Sequence, residues 1–309
     1  MGWRRRHLLG TRELAREEIE CVLDTAADLM PFATGGRERR RDLEGRTVAS
    51  LFFEPSTRTR TSFDLAARRL GATVAGFAVA HGSTVKGETT VDTARNIEAM
   101  GLDAIVVRSA HAGTPDLLAR HLRASVINAG DGAREHPTQA LLDLYTMRES
   151  FGQIAGLHVL IVGDIGASRV ARSNLWALRR LGAEVTLCGP PTLVPRSFEA
   201  LGARVVHRLD PELPHADVLM LLRIQHERHV VGAIPSVREY ARLFGVNAER
   251  AARLPQHAVI MHPGPINRGV ELTPEVADGT RSTVLRQTRN GVAVRMAVLK
   301  LCLEARAGG

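Results

Sequence analysis

Residues 56–61, Ser-Thr-Arg-Thr-Arg-Thr, alternate hydroxyl and guanidinium groups between an apolar run ending at Phe53 and an amphipathic stretch starting at Phe63. Phe63, Ala66, Ala67 and Leu70 follow the i, i+3, i+4, i+7 spacing of a buried helical stripe, with Gly71 as its stop. Ser56 then falls at the N-cap, and Thr57, Arg58 and Thr59 form the first turn. Backbone N–H groups there have no partner within the helix, and the dipole is positive. Cations at that end are unfavourable for an empty helix. A bound phosphate reverses the penalty, because N–H groups, hydroxyls and a guanidinium converge on one anion. A capped helix with solvated arginines is the alternative, and local chemistry leaves both open.

The other polar clusters fall at comparable places. Segment 81–89, "HGSTVKGET", Arg108, "NAGDGAREHPTQ" at 128–139, "GDIGASR" at 163–169, "LLRIQHER" at 221–228 and "MHPGP" at 261–265 each follow an apolar run. Those runs read as strands at 46–53, 72–79, 103–108, 124–128, 157–163, 183–188, 203–207, 217–222 and 257–261. Helical patterns lie between them, at 11–30, 57–70, 89–100, 114–122, 136–150, 168–181, 236–244 and 289–305. Continuous apolar strands alternating with helices indicate parallel sheets covered on both faces. The expected fold is therefore α/β, with two doubly wound parallel-sheet domains. Ligands of such sheets bind outside the carboxyl ends of the strands, so the active site is expected in a cleft between the domains. The division falls near 149–156: 1–149 form the first domain, with a terminal helix at 289–309 packing back on it, and 150–288 form the second.

Composition narrows the function. The chain has 309 residues and 44% apolar content, enough for two ordinary cores. No uninterrupted apolar run reaches membrane-spanning length. The N-terminal basic residues lack an apolar segment behind them, and Arg6 stands where a myristoylation signal needs Ser or Thr. Cys21, Cys188 and Cys302 are scattered without a CxxC pair, which fits a reduced cytoplasmic enzyme and neither a disulfide scaffold nor a metal site. The net charge of +8 is uneven: residues 1–149 carry 21 basic and 20 acidic side chains, and the remainder 20 and 13. With aromatics at 4% no base-stacking platform is visible, so the excess points to a small anion and not to nucleic acid. Only Lys86 and Lys300 among 41 basic residues are lysine. The Walker A spacing is absent. Gly163 and Gly166 do not complete GxGxxG, and the next strand ends without a ribose-binding acid, which disfavours a dehydrogenase.

Taken together and in order, "FFEPSTRTR", "KGET", "HPTQALLDLYT", "LLRIQHER" and "MHPGPINRGVE" resemble the aspartate/ornithine carbamoyltransferases, most closely their aspartate branch, over nearly the whole chain. The resemblance implies transfer of the carbamoyl group of carbamoyl phosphate to L-aspartate in pyrimidine synthesis. It also implies a homotrimer with active sites shared between subunits. No cofactor and no metal are expected. A regulatory chain or another pyrimidine enzyme is a possible partner. The alternatives are transfer to another amino acid such as ornithine, and a non-catalytic anion-binding relative.

The roles are carried over residue by residue. Ser56, Thr57, Arg58 and Thr59 match the phosphate-binding motif, joined by Ser83 and Lys86 from a neighbouring subunit. Thr59, Arg108 and His136 match the donors at the carbonyl oxygen. Pro137 suits the first position of the helix that His136 begins, and that positive end favours a neutral imidazole acting as a donor. A plain N-cap histidine is the alternative. Gln139, three residues on, matches the residue that reads the carbamoyl amide. Backbone carbonyls of Pro263 and Gly264 complete the site in a loop with Pro265, and a cis peptide there, seen in the family, is for the structure to decide. Arg169, Arg223 and Gln225, with Lys86, match the aspartate-binding residues. A dicarboxylate needs cationic anchors, and arginine forks bind carboxylates in pairs; an ornithine side chain would be repelled. Glu54 is expected to partner arginines, and His262 and Cys188 to be structural.

Overall fold

The computed structural model describes residues 2–35, 40–76, 89–224 and 236–307. The chain divides into two compact units: unit 1 holds 1–145 and 289–309, and unit 2 holds 146–288. The chain passes between them within two helices, α5 (Pro137–Phe151) and α10 (Val284–Ala307).

Unit 1 is built on a parallel sheet in the order β2-β1-β3-β4. Its strands are β1 (Thr47–Phe52), β2 (Thr73–Ala75), β3 (Ala104–Ser109) and β4 (Ser125–Asp131). β3 and β4 are apolar and buried along most of their length, as strands covered on both faces must be. Ala49, Leu51, Ile105, Val107 and Val126 form one packed face with Ala94 and Ile97 of α3 (Thr90–Glu98) and Leu118 of α4 (Thr114–His121). Strand alternation sends Ser50, Phe52, Val106 and Arg108 to the other face. Helix α2 (Thr57–Arg69) follows β1 and buries Phe63, Ala66 and Ala67, with Leu70 just beyond, the stripe expected from its spacing. Gly71 follows with φ +85°, a left-handed stop that other residues adopt at a cost.

Unit 2 is a five-stranded parallel sheet in the order β7-β6-β5-β8-β9. It comprises β5 (His158–Val162), β6 (Glu184–Cys188), β7 (Arg204–Val206), β8 (Val218–Leu221) and β9 (Val259–Met261). Helix α6 (Arg169–Leu181) follows β5, and α7 (Val237–Phe244) precedes β9.

Every strand expected from the apolar runs is present, with β2 described only as far as Ala75. The helices differ in three places. The first starts at Arg16, in α1 (Arg16–Ala33), and not at residue 11. The Glu135 carboxylate takes hydrogen bonds from the Thr11 N–H and hydroxyl and from the Arg12 N–H. That contact, 124 residues away in sequence, holds 11–14 out of the helix until Glu18 receives the Ala15 N–H at 2.9 Å. Two short helices, α8 (Ala248–Ala252) and α9 (Pro274–Ala277), were not expected. Asn247 caps the first, and Pro274 opens the second. Finally, α10 begins at Val284, five residues ahead of the expected 289.

Candidate active site

The sheet orders fix where ligands can gather. In unit 1 the chain leaves β1 for β2 on one side and returns to β3 on the other, so the switch point lies between β1 and β3. In unit 2 it lies between β5 and β8. Crevices open at the carboxyl ends of strands that part in this way. The carboxyl ends of those four strands and the segments that leave them carry Glu54 to Thr59, Arg108, Asp164 to Arg169, and Arg223.

In unit 1, Ser56 is the residue before α2, but its side chain makes no capping bond. The expected cap is thus present in position and absent in contact, which leaves the hydroxyl available. The first i to i−4 bond of α2 is Arg60 N–H to Ser56 O at 3.2 Å, so the N–H groups of Thr57, Arg58 and Thr59 precede the helical ladder. The two arginines divide. Arg60 turns back to the sheet, its guanidinium 5.4 Å from the centre of the Phe52 ring and within 3.4 Å of Ser50 O. Arg58 makes no such contact among the described residues. Its side chain is exposed, and partial desolvation lowers its pKa.

Arg108 is the penultimate residue of β3, and its carbonyl takes the Phe53 N–H at 2.8 Å. Its Nε donates to Glu54 Oε1 at 2.7 Å and its Nη1 to Ala129 O at 3.4 Å. Both side chains of the pair are 15% exposed. Glu54 therefore orients Arg108, and the remaining guanidinium donors stay in a fixed plane. His136 is 4% exposed, and its carbonyl takes the Gln139 and Ala140 N–H groups, so it caps α5 as its position before Pro137 predicts. Gln139, buried one turn on, donates from Nε2 to Asp143 Oδ1 at 2.9 Å.

The turn that delivers His136 is held by acids to which sequence reasoning gave no role. Asp131, fully buried, accepts from Gly113 N–H, Asn128 Nδ2 and Glu135 N–H at 2.7–3.1 Å. Arg134 bridges Asp131 and Asp116. Glu135 reaches the N-terminal segment as described. The available signal was the pair of acids, Asp131 and Glu135, flanking "GAR" just ahead of His136.

In unit 2, Ser168 caps α6 by accepting the Ala171 N–H at 3.1 Å. Arg169 is the first helical residue and 7% exposed. Arg223 lies two residues beyond β8, half-buried. Next to it, Ile224 N–H donates to Glu271 Oε1 at 2.9 Å. Glu271, wholly buried, also takes the Asn267 N–H at 2.7 Å and the Asn267 amide at 2.8 Å. Burial raises its pKa, and these bonds oppose the rise. One carboxylate thus ties the Arg223 segment to the loop after β9, a role missed because its partners are mostly backbone groups.

That loop contains Pro263, Gly264 and Pro265. The Gly264–Pro265 peptide is cis, and Gly264 has φ +66°, which favours glycine. His262 is buried; its N–H donates to Gln287 Oε1 at 3.0 Å, and its Nδ1 accepts the Gly264 N–H at 2.8 Å. With Nδ1 accepting, a neutral ring carries its proton on Nε2, 3.9 Å from Glu271. Ser83, Lys86 and Gln225 lie outside the described residues.

Residues 6–149 match the carbamoyl-P binding domain of aspartate/ornithine carbamoyltransferase, and residues 155–302 match the Asp/Orn binding domain. The chain belongs to the aspartate/ornithine carbamoyltransferase family. Among relatives, the aspartate carbamoyltransferase catalytic subunit of Myxococcus xanthus is 57% identical over 96% of this chain and 99% of its own length. That of Opitutus terrae is 55% identical over 98% and 96%. An aspartate transcarbamoylase from Trypanosoma cruzi, solved with carbamoyl phosphate and aspartate, superposes with a TM-score of 0.85 at 30% identity, over 95% of each chain. The same enzyme solved with carbamoyl aspartate and phosphate gives 0.86. The two family domains meet at residues 149–155, inside or just past α5.

Proposed function

We propose that this chain transfers the carbamoyl group of carbamoyl phosphate to the amine of L-aspartate, giving N-carbamoyl-L-aspartate and phosphate. The observation that carries the proposal is what each unit's switch point holds: in unit 1 a helix start whose first N–H groups precede the helical ladder, with Arg58 and Arg108, and in unit 2 Arg169 and Arg223. The first suits a phosphate ester, the second a dicarboxylate.

Ser56, Thr57, Arg58 and Thr59 hold the phosphate, and Lys86 and Ser83 of the neighbouring subunit close over it. Arg108, His136 and Thr59 donate to the carbamoyl oxygen. The aspartate amine attacks the carbonyl carbon, the carbonyl oxygen becomes an oxyanion, and the carbon–oxygen bond to phosphate breaks. Phosphate leaves with the electron pair and accepts the proton lost by the amine, so no separate base is needed. One donor at an oxyanion is worth about 10²–10³ in rate. Arg169, Arg223 and Gln225 hold the two carboxylates, with Lys86 contributing. Gln139 Oε1 takes one N–H of the carbamoyl group, and the backbone carbonyls of Pro263 and Gly264 face the other.

The working unit is a homotrimer with shared sites, acting in the cytoplasm in pyrimidine synthesis. Three free cysteines and, among the described residues, no helix long and apolar enough to cross a membrane are consistent with that location. Residues 1–149 serve as the carbamoyl phosphate domain, with α10 packed on it, and 150–288 as the aspartate domain. A regulatory chain or another pyrimidine enzyme is a candidate partner.

A colourimetric assay of carbamoyl aspartate, run with aspartate and with ornithine as acceptors, tests the reading. Turnover with aspartate alone is expected. Citrulline from ornithine, or binding of carbamoyl phosphate without turnover, overturns it.

A further inference from the structure

Unit 1 buries an arginine that the proposed chemistry does not use. Arg295 of α10 is 5% exposed. Its guanidinium lies 5.2 Å from the centre of the Phe63 ring, and its Nε has no hydrogen-bond partner. The helix leaves space beside it: a Cβ on Gly291 would collide with Arg295 Nη1. Glycine within a helix costs about 1 kcal/mol relative to alanine, so position 291 gives up helix propensity to admit the cation. Burial lowers the Arg295 pKa to about 10, the charge of Asp143 opposes that drop, and Arg108 adds to it. At neutral pH Arg295 remains a cation in the field of Asp143. A buried charge without a nearby opposite charge is costly, and Asp143 is the opposite charge that acts on this guanidinium.

An ionised carboxylate only accepts. Its neighbour Gln139 must therefore turn its NH₂ inward, as observed at 2.9 Å, and keep Oε1 for another donor. A carbamoyl group presents an NH₂ donor where an acetyl group presents a methyl.

We propose that Asp143, backed by the buried guanidinium of Arg295, is a positioning residue that locks the Gln139 amide with Oε1 as the free acceptor, and so selects carbamoyl phosphate over other acyl phosphates. The inference rests on the carbamoyl-transfer reading and names what tells its first substrate apart.

The test is a double-mutant cycle between Asp143→Asn and Gln139→Ala, read by calorimetry as the Kd for carbamoyl phosphate and for acetyl phosphate. Asparagine has the same shape but can donate, so the Gln139 amide loses its fixed sense. Asp143→Asn is expected to weaken carbamoyl phosphate binding at least fivefold and acetyl phosphate binding less than twofold. In the Gln139→Ala background it should change neither by more than twofold, since residues acting as one unit are not additive. An undiminished effect in that background, or equal weakening of both ligands, overturns the proposal. If Asp143→Asn does not give a native melting transition, Arg295→Met, which removes the buried charge and keeps an unbranched side chain, takes its place in the same cycle, with the same pattern expected and the same outcomes fatal. Wild-type binding of carbamoyl phosphate without transfer to aspartate would sink the proposed function alone; failure to bind it would sink both.

Discussion

Arg58 and Arg60 are two residues apart in a helix and point to different tasks. Their types were legible in the sequence; their division was not, because it depends on the Phe52 ring and Ser50 carbonyl meeting Arg60 across the sheet. Arg58→Ala removes a charged contact that strengthens as the phosphate departs. Its loss costs about 1.5–3 kcal/mol, so kcat is expected to fall at least ten- to a hundredfold with the melting temperature unchanged. Near-native kcat would refute the assignment of the helix start. Arg60→Ala should show the reverse, a lowered melting temperature with most turnover kept. At the second switch point, Arg223→Ala is expected to raise the KM for aspartate far more than the Kd for carbamoyl phosphate. Equal weakening of both would mean that Arg223 supports the fold of its segment and not recognition.

Elements were legible where their cause is local. Apolar runs gave all the strands, and the Phe63 to Leu70 stripe gave α2. The start of α1 was not, because Glu135 reaches Thr11 from 124 residues away in sequence and holds Arg12 beside it. Glu271 escaped notice for a related reason: a side chain that serves backbone N–H groups leaves no pairwise pattern in the sequence. The docking of α10 also depends on distant partners. Lys300 donates to Asp42 at 2.7 Å, and Arg306 pairs with Asp103 at 2.8 Å. The hydrogen bond from Arg40 holds the Asp42 carboxyl far below its usual range; burial opposes this, and Lys300 adds to it. A depressed carboxylate contributes stability above its unfolded value near 3.9 and loses it as pH falls below that. The melting temperature should therefore drop as pH falls from about 4 to about 2, and by less in Asp42→Asn. An unchanged slope in that variant would show that Asp42 does not anchor the helix.

At the scale of the whole molecule, the sequence poses a question that one chain cannot answer. Lys86 is one of only two lysines among 41 basic residues. A compact ammonium suits a crowded phosphate better than a broad guanidinium fork does. The proposed trimer assigns this lysine to the neighbouring subunit's site, whereas a chance surface lysine would have no role in either. Hybrid complementation separates the two. Arg58→Ala and Lys86→Ala proteins, each expected to be nearly inactive, are dissociated, mixed equally and reassembled. In a closed ring every site pairs one subunit's Arg58 with the next subunit's Lys86. A site is native in both when a Lys86→Ala subunit is followed by an Arg58→Ala subunit, so about one quarter of sites should recover in random reassembly. Sites built within one subunit would recover none, since no single chain carries both native residues. The decisive control is mass measurement of the mixture. If mixed trimers form and activity stays at the level of the parents, Lys86 does not act across an interface, and the shared site must be abandoned for this chain.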